Sequence, residues 1–179
     1  GSTLYDSSAQ AYHLKGSGYN IWFGRDEFHY AFKKIKGDFI ATANFEFIGK
    51  GTDPHRKIGW MARSSQQEDA PHMTATIHGD GLIALQWRHL RGAYMRDPED
   101  EIIFSKKKAQ IIQLERAGSI YIMRVANPGE SLQEVGRYEL KTLPEEVLIG
   151  LFISSHNENV NEEATAWNVR IDRPVSENY

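Results

Sequence analysis

The chain has no cysteine, which excludes disulfides, thiolate metal sites and cysteine nucleophiles and leaves the redox compartment open. No apolar run reaches the roughly 20 residues that a membrane-crossing helix needs. The chain also opens without a charged-then-hydrophobic export signal, and Gly1-Ser2 reads as an expression scar or a trimmed terminus. Neither sign of charge dominates: the net charge is −3 with both signs intermixed. A sustained positive stripe is therefore missing, which argues against sequence-independent nucleic-acid binding and leaves the triplet Lys106 to Lys108 as a solvated turn. Helical periodicity is nearly absent. So are a phosphate-cradling glycine loop, a nucleophile elbow, a His-x-x-x-His or His-Glu-x-x-His pair and an Asp-x-Asp-x-Asp-Gly calcium loop. These absences set aside nucleotide-dependent and serine-hydrolase chemistry and leave metal sites only weakly signalled.

What is present is alternation. The chain of 179 residues is 40% hydrophobic and 11% aromatic, enough for a sizeable core in one domain spanning residues 1–179. KIGWMARS, HMTATIHG, LIALQWRH, QIIQLERA and LIGLFISSHN each read as a strand of period two. In DFIATANFEFI, Phe39, Ala41, Ala43, Phe45 and Phe47 share a face, and in the preceding EFHYAFKKI so do Phe28, Tyr30 and Phe32. Lys36-Gly37-Asp38 between them predicts a long aromatic hairpin. Gly79-Asp80-Gly81 and Ala117-Gly118-Ser119 are hairpin turns, and Asn127-Pro128-Gly129-Glu130 has the Pro-Gly centre of a type II turn. ATAWNVRID alternates Thr165, Trp167, Val169 and Ile171 against Ala166, Asn168 and Arg170. About a dozen strands with short connections predict an all-β, antiparallel, two-sheet sandwich. Residues 49–55, 64–71 and 91–108 are the expected loops.

YNIWFGRDEFHYAFKKIKGDFIATANF, KIGWMARS, ALQWR, IQLERAGSIY, VLIGLFISSHN and TAWNVRI, in that order, resemble a bacterial concanavalin A-like lectin/glucanase (laminin G-like) domain family of unknown function. The resemblance runs from about Tyr5 to Arg173. Two departures are Phe23 before Gly24, and Asn127-Pro128-Gly129-Glu130 where an Asp-Gly turn is usual. What the resemblance implies is a jelly roll with one concave sheet, a setting near carbohydrate-processing proteins and a place outside the cytoplasm. It implies no particular reaction.

The polar faces of the strands carry Arg, Gln, His and Glu where Thr, Ser or Lys would satisfy water. Arg63 shares a side with Gly59 and Met61, His72 with Thr74 and Thr76, and Gln86 and Arg88 with Ala84; Glu115 pairs with Gln113, and His156 follows two serines. If these strands are neighbours, Arg63, His72, Gln86, Arg88, Glu115 and His156 converge as a surface whose guanidinium and amide groups match vicinal hydroxyls. Trp22 is a candidate stacking platform, although Ile21-Trp22-Phe23 at a strand end is more often a core plug. Trp60, Trp87 and Trp167 have core parity. The competing reading pairs Arg63 or Arg88 with Glu115 as an ion pair that holds the sheet. Asp97-Pro98-Glu99-Asp100-Glu101 offers oxygens to calcium, as in other jelly rolls, and otherwise reads as a solvated loop.

Glycoside hydrolysis needs two spaced carboxyl groups, and the expected face offers only Glu115; the paired-acid Glu-x-Asp-x-x-Glu string of concanavalin A-like glucanases is missing. These residues predict a module that binds a glycan or other polar ligand without catalysis. Two alternatives stay open: a polysaccharide-active enzyme, a lyase above all, on the same face, and a structural or protein-interaction module with no small ligand.

Overall fold

A computed structural model describes residues 1–175, and the last four positions of the expected 1–179 domain lie outside the described residues. Among the described residues the regular structure is thirteen strands and no helix. One sheet holds seven of them in the order β1 (Ser2–Asp6), β2 (Ala11–Gly18), β13 (Asn157–Asp172), β4 (Phe39–Ile48), β9 (Ile111–Ala117), β10 (Ile120–Ala126) and β11 (Gln133–Glu139). The other holds six, in the order β3 (His29–Lys36), β12 (Glu146–Ser154), β5 (Lys57–Arg63), β6 (His72–His78), β7 (Ile83–Arg88) and β8 (Glu101–Ile103). Every pairing is antiparallel.

The core lies between the sheets and is made by the apolar parity of each strand. Phe39, Ala41, Ala43 and Phe45 of β4 and Ile112 and Leu114 of β9 meet Trp60 and Ala62 of β5, Met73 and Ala75 of β6, and Leu85 and Trp87 of β7. Each large side chain taken fully out of water contributes about 1.5–3 kcal/mol. Two contacts cross the gap with direction as well as area. The Trp60 indole N–H donates to the Ile112 carbonyl at 3.1 Å, and the Trp87 ring stacks on Tyr138 of β11 with centroids 3.8 Å apart. Gly59 has a φ of +153°, and a Cβ there would collide with the Ala75 carbonyl, so β5 and β6 approach closely only with glycine at this point.

The expected turns at Gly79-Asp80-Gly81, Ala117-Gly118-Ser119 and Asn127-Pro128-Gly129-Glu130 join paired neighbours β6–β7, β9–β10 and β10–β11. Lys36-Gly37-Asp38 does not. β3 lies in the six-stranded sheet beside β12 and β4 in the seven-stranded sheet beside β13 and β9, so the predicted aromatic hairpin is a crossing between layers. Phe28 and Tyr30 pack with Ile21, Met61 and Phe152 outside the main core, while Phe39 and Phe45 are inside it. Trp167 is a second correction. The register of β13 on β4 shifts between Trp167 and Arg170, with Asn168 at a φ of +50°. That bulge reverses the parity: Ala164 and Ala166 point inward before it, Val169 and Ile171 after it, and Trp167 is left half-buried on the other side.

Candidate functional site

The outer face of the six-stranded sheet carries the polar parity, and its register sets out who meets whom. Arg63, His72 and Arg88 form one row across β5, β6 and β7. Met61, Thr74, Gln86 and Glu101 form the next. Lys57 pairs with His78 at the opposite end. The irregular segment 19–28 lies over this face, with Ile21 packed on Met61 and Phe152, and it divides the row of arginines from the rest.

At the arginine end the segment inserts Asp26. Its carboxylate accepts from Arg63 Nη1 at 2.7 Å and from Arg88 Nη1 and Nη2 at 2.5 and 2.6 Å. Further guanidinium N–H groups go to carbonyls, those of Ser65 and Gln67 for Arg63 and of Phe23, Ala70 and Ala93 for Arg88, and Arg63 Nη1 also reaches the Met61 sulfur at 3.7 Å. Arg63, His72 and Arg88 are each 1% exposed or less. Burial and the two guanidiniums hold the His72 imidazole well below its ordinary range, so it is neutral. Removing either arginine would leave the buried carboxylate with one of its two charged partners, a loss of about 3–5 kcal/mol in comparable pairs. Arg63, His72 and Arg88 were expected to line an open surface. They are instead the buried clamp that fastens segment 19–28 to the sheet, and the partner that neutralises them is Asp26, not Glu115.

Glu115 is elsewhere. It sits on β9 of the seven-stranded sheet and accepts from Arg124 Nη1 at 2.6 Å, beside Gln113. The parity reading was right for its strand, but parity does not say which sheet a strand joins.

The other three expected residues, Trp22, Gln86 and His156, come together at the opposite end of the face. With Asn20, His55, Lys57, His78, Leu82, Glu101 and Ile103 they line an open cleft of about 330 Å³. Trp22 is half-buried here; Ile21 is the core plug and Trp22 is not. Gln86 Nε2 donates to Glu101 Oε2 at 2.9 Å. Lys57 is nearly buried, and its ammonium donates to Asn20 Oδ1 at 3.1 Å and to the His55 carbonyl at 3.0 Å. Burial pushes it down to about 8 despite the carboxylates of Asp53 and Glu101 nearby. His78 is pushed down to about 3 by burial and then by Lys57, with the nearby Gln86 side chain acting weakly the other way, and neither of its ring nitrogens has a partner at hydrogen-bond geometry. His156 is lowered by the same two causes in the same order, and its Nδ1 is also unpartnered. Burial moves Glu101 upward.

Local structure explains how the loops present these groups. Ser154 and Ser155 are buried: Ser154 Oγ donates to the Glu27 carbonyl at 3.1 Å and Ser155 Oγ to the Asn157 carbonyl at 2.6 Å. They pin the tight turn from β12 to β13, in which His156 adopts a φ of +63°, a conformation uncommon outside glycine. The loop before β5 is fixed by the buried pair of Arg56 Nη1 and Glu162 Oε2 at 2.6 Å, and within it Asp53 Oδ1 accepts from the His55 N–H at 2.7 Å.

Lys57, His78, His55, Asn20 and Glu101 were not among the expected site residues. Parity contained the first two, because 57, 59, 61 and 63 share one side of β5 and 72, 74, 76 and 78 one side of β6. Glu101 lay within the acidic run read as a calcium candidate. Asp100 of that run is buried under Arg96, whose Nε and Nη2 donate at 2.7 and 2.8 Å, while Glu101 faces the cleft. Among the described residues no three His, Asp or Glu side chains are grouped to hold a metal ion.

No protein-family model matches the chain, and no curated protein does. Solved structures do. A functionally unknown protein from Saccharomyces cerevisiae superposes with a TM-score of 0.74 at 13% identity, over 98% of this chain and 93% of that one. The carbohydrate-binding module CBM66 from Bacillus subtilis gives 0.63 at 11% identity, over 97% and 92%. The family 7 alginate lyase A1-II′ in complex with substrate gives 0.61 at 6% identity, over 99% and 83%. At such identities the likeness establishes the fold: an all-β, two-sheet antiparallel jelly roll.

Proposed function

We propose that this chain binds a glycan or a related polar ligand, without transforming it, in the cleft between Trp22 and His156. The observation that carries this reading is the composition of the cleft wall: an indole face beside amide, imidazole, ammonium and carboxylate groups, several with hydrogen-bonding capacity to spare. An apolar plane with convergent planar donors and acceptors suits a pyranose ring and its hydroxyls. Glu101 is the one carboxylate among the residues that line the cleft, which speaks against the two-acid chemistry of glycoside hydrolysis. That a carbohydrate-binding module shares the fold is in keeping with the reading, as is a place outside the cytoplasm.

The test is a glycan array followed by calorimetry on the best ligand. Trp22→Ala and Gln86→Ala are expected to weaken binding about tenfold or more with the unfolding midpoint nearly unchanged. Wild-type affinity in both variants would exclude this cleft.

One observation favours a second reading. Lys57 lines the cleft, nearly buried, with one N–H left over and its ammonium lowered by burial to about 8, which suits general-base removal of a proton next to a uronate carboxylate. Such an activity releases unsaturated, ultraviolet-absorbing ends from uronate polysaccharides. Their absence under conditions where binding is saturated eliminates it.

A further inference from the structure

We infer that the corner of the cleft formed by His55, Lys57, His78 and His156 receives an oxyanion carried by the ligand, a carboxylate or a sulfate ester on a sugar. This inference rests on the glycan-binding reading above and gives that ligand a chemical class.

Four basic side chains from four separate pieces of chain meet at this corner: the loop before β5, β5 itself, the end of β6 and the turn between β12 and β13. The His55 ring lies 5.3 Å from the His156 ring and 6.3 Å from the His78 ring, centroid to centroid. Their donors are not used up by the protein. Both ring nitrogens of His78 and Nδ1 of His156 are shielded from water and lack any partner. Lys57 uses two of its three N–H groups, on Asn20 and on the His55 carbonyl. Buried polar groups of this kind are ordinarily satisfied, so their collection at the wall of an open cleft marks a place where a ligand atom completes the bonding.

The charges facing the corner say which kind of atom. Asp53 lies on the same loop as His55, Asp80 is at the turn after β6 and hydrogen-bonds the Leu82 N–H, and Glu101 stands across the cleft on β8, engaged by Gln86. None of the three forms a hydrogen bond or ion pair with Lys57, His78 or His156 among the described residues. No carboxylate of the described residues is in contact with these basic groups, and burial first and Lys57 second keep His78 and His156 low. An entering oxyanion accepts from Lys57 and from the imidazole N–H groups, and it raises the proton affinity of every group it touches. Binding would then draw protons from solution. Trp22, Gln86 and Glu101, which also line the cleft, are left to hold the ring and its hydroxyls.

The experiment compares three probes by calorimetry: uronic-acid oligosaccharides, the same oligosaccharides with their carboxyl groups reduced to alcohols, and sulfated neutral oligosaccharides. The acidic or the sulfated probe is expected to bind about tenfold or more tightly than the reduced one. Its affinity should fall as pH rises from 6 to 9, and the measured heat should depend on the ionisation enthalpy of the buffer, which reports proton uptake. Lys57→Met and His78→Gln, both checked for an intact unfolding transition, should abolish the preference, so that each variant binds the charged and the reduced probe alike. Preference for the carboxylate alone or the sulfate alone identifies the source and supports the inference. Equal affinity for charged and reduced probes, lost in Trp22→Ala, overturns the oxyanion corner and leaves glycan binding standing. Absence of binding by all three, with no ligand found on the array, overturns both.

Discussion

At the scale of single residues, the same side-chain types do opposite work at the two ends of one sheet face. Arg63 and Arg88 look like ligand contacts in the sequence and are instead saturated by Asp26 and backbone carbonyls. Arg88→Ala is expected to destabilise the protein by about 3–5 kcal/mol, because Asp26 stays buried with half its partners gone, and denaturant titration measures it. Replacing the whole cluster, Arg63→Met and Arg88→Met together with Asp26→Leu, should recover much of that loss, since a buried ion cluster seldom outperforms apolar isosteres once no charged member is left behind. Lys57 makes the reverse case. Holding a nearly buried ammonium is unfavourable, as its fall to about 8 records. Lys57→Met is expected to raise stability by about 1–2 kcal/mol while weakening ligand binding, a pairing that a purely structural lysine would not give.

At the scale of elements, strand identity and turn chemistry were legible in the sequence, and so was the inward parity of Trp60 and Trp87. Layer membership was not. Lys36-Gly37-Asp38 has the composition of a hairpin turn, but whether two strands pair or part is decided by what lies on their far sides, here β12 and β13 arriving from over a hundred residues away. For the same reason Glu115 was grouped with residues on the opposite sheet, and the single-residue bulge at Asn168 turned Trp167 outward. Of the candidate site, Trp22, Gln86 and His156 were readable, and Lys57 and His78 were latent in the parity of β5 and β6. Asn20 and His55 sit on irregular segments, where no periodicity exists to read. The Arg56 and Glu162 pair is the element-scale device that holds His55 in place. Glu162→Gln should leave the strands protected and speed amide exchange in residues 49–56, with a several-fold loss of ligand affinity; unchanged exchange there would show that the loop is held by other means.

At the scale of the whole molecule, the buried titratable groups set a pH profile. His29, His72, His78 and His156 are all held below their ordinary value, burial being the first cause in each. In the unfolded chain these imidazoles take up protons as pH falls through about 6.5, while the folded protein does not, so stability is present above that pH and is lost below it. The slope approaches about 1.4 kcal/mol per pH unit for each fully buried histidine, less for the half-exposed His29 and His156. Lys57 adds in the same direction at higher pH, because the folded chain releases its proton near 8 and the unfolded chain near 10.4. Tyr30 and Tyr121, both raised by burial, reverse the trend once unfolded tyrosines ionise near about 10. Unfolding midpoints measured from pH 5 to 10 should therefore climb and then turn over, and His78→Gln should flatten the acid limb.

The placement of the last two strands bears on how the protein is made. β12 and β13 do not sit at the margins: one lies between β3 and β5, the other between β2 and β4. Until the ribosome has released them, the earlier strands have gaps where their neighbours belong, and neither layer can close. Folding of this sandwich must wait for both strands and then proceed through pairings of long sequence separation, a slow route that leaves unpaired strand edges open to other nascent chains. Synthesis halted before Glu146 would leave no partly working sandwich, only a polypeptide in need of a chaperone.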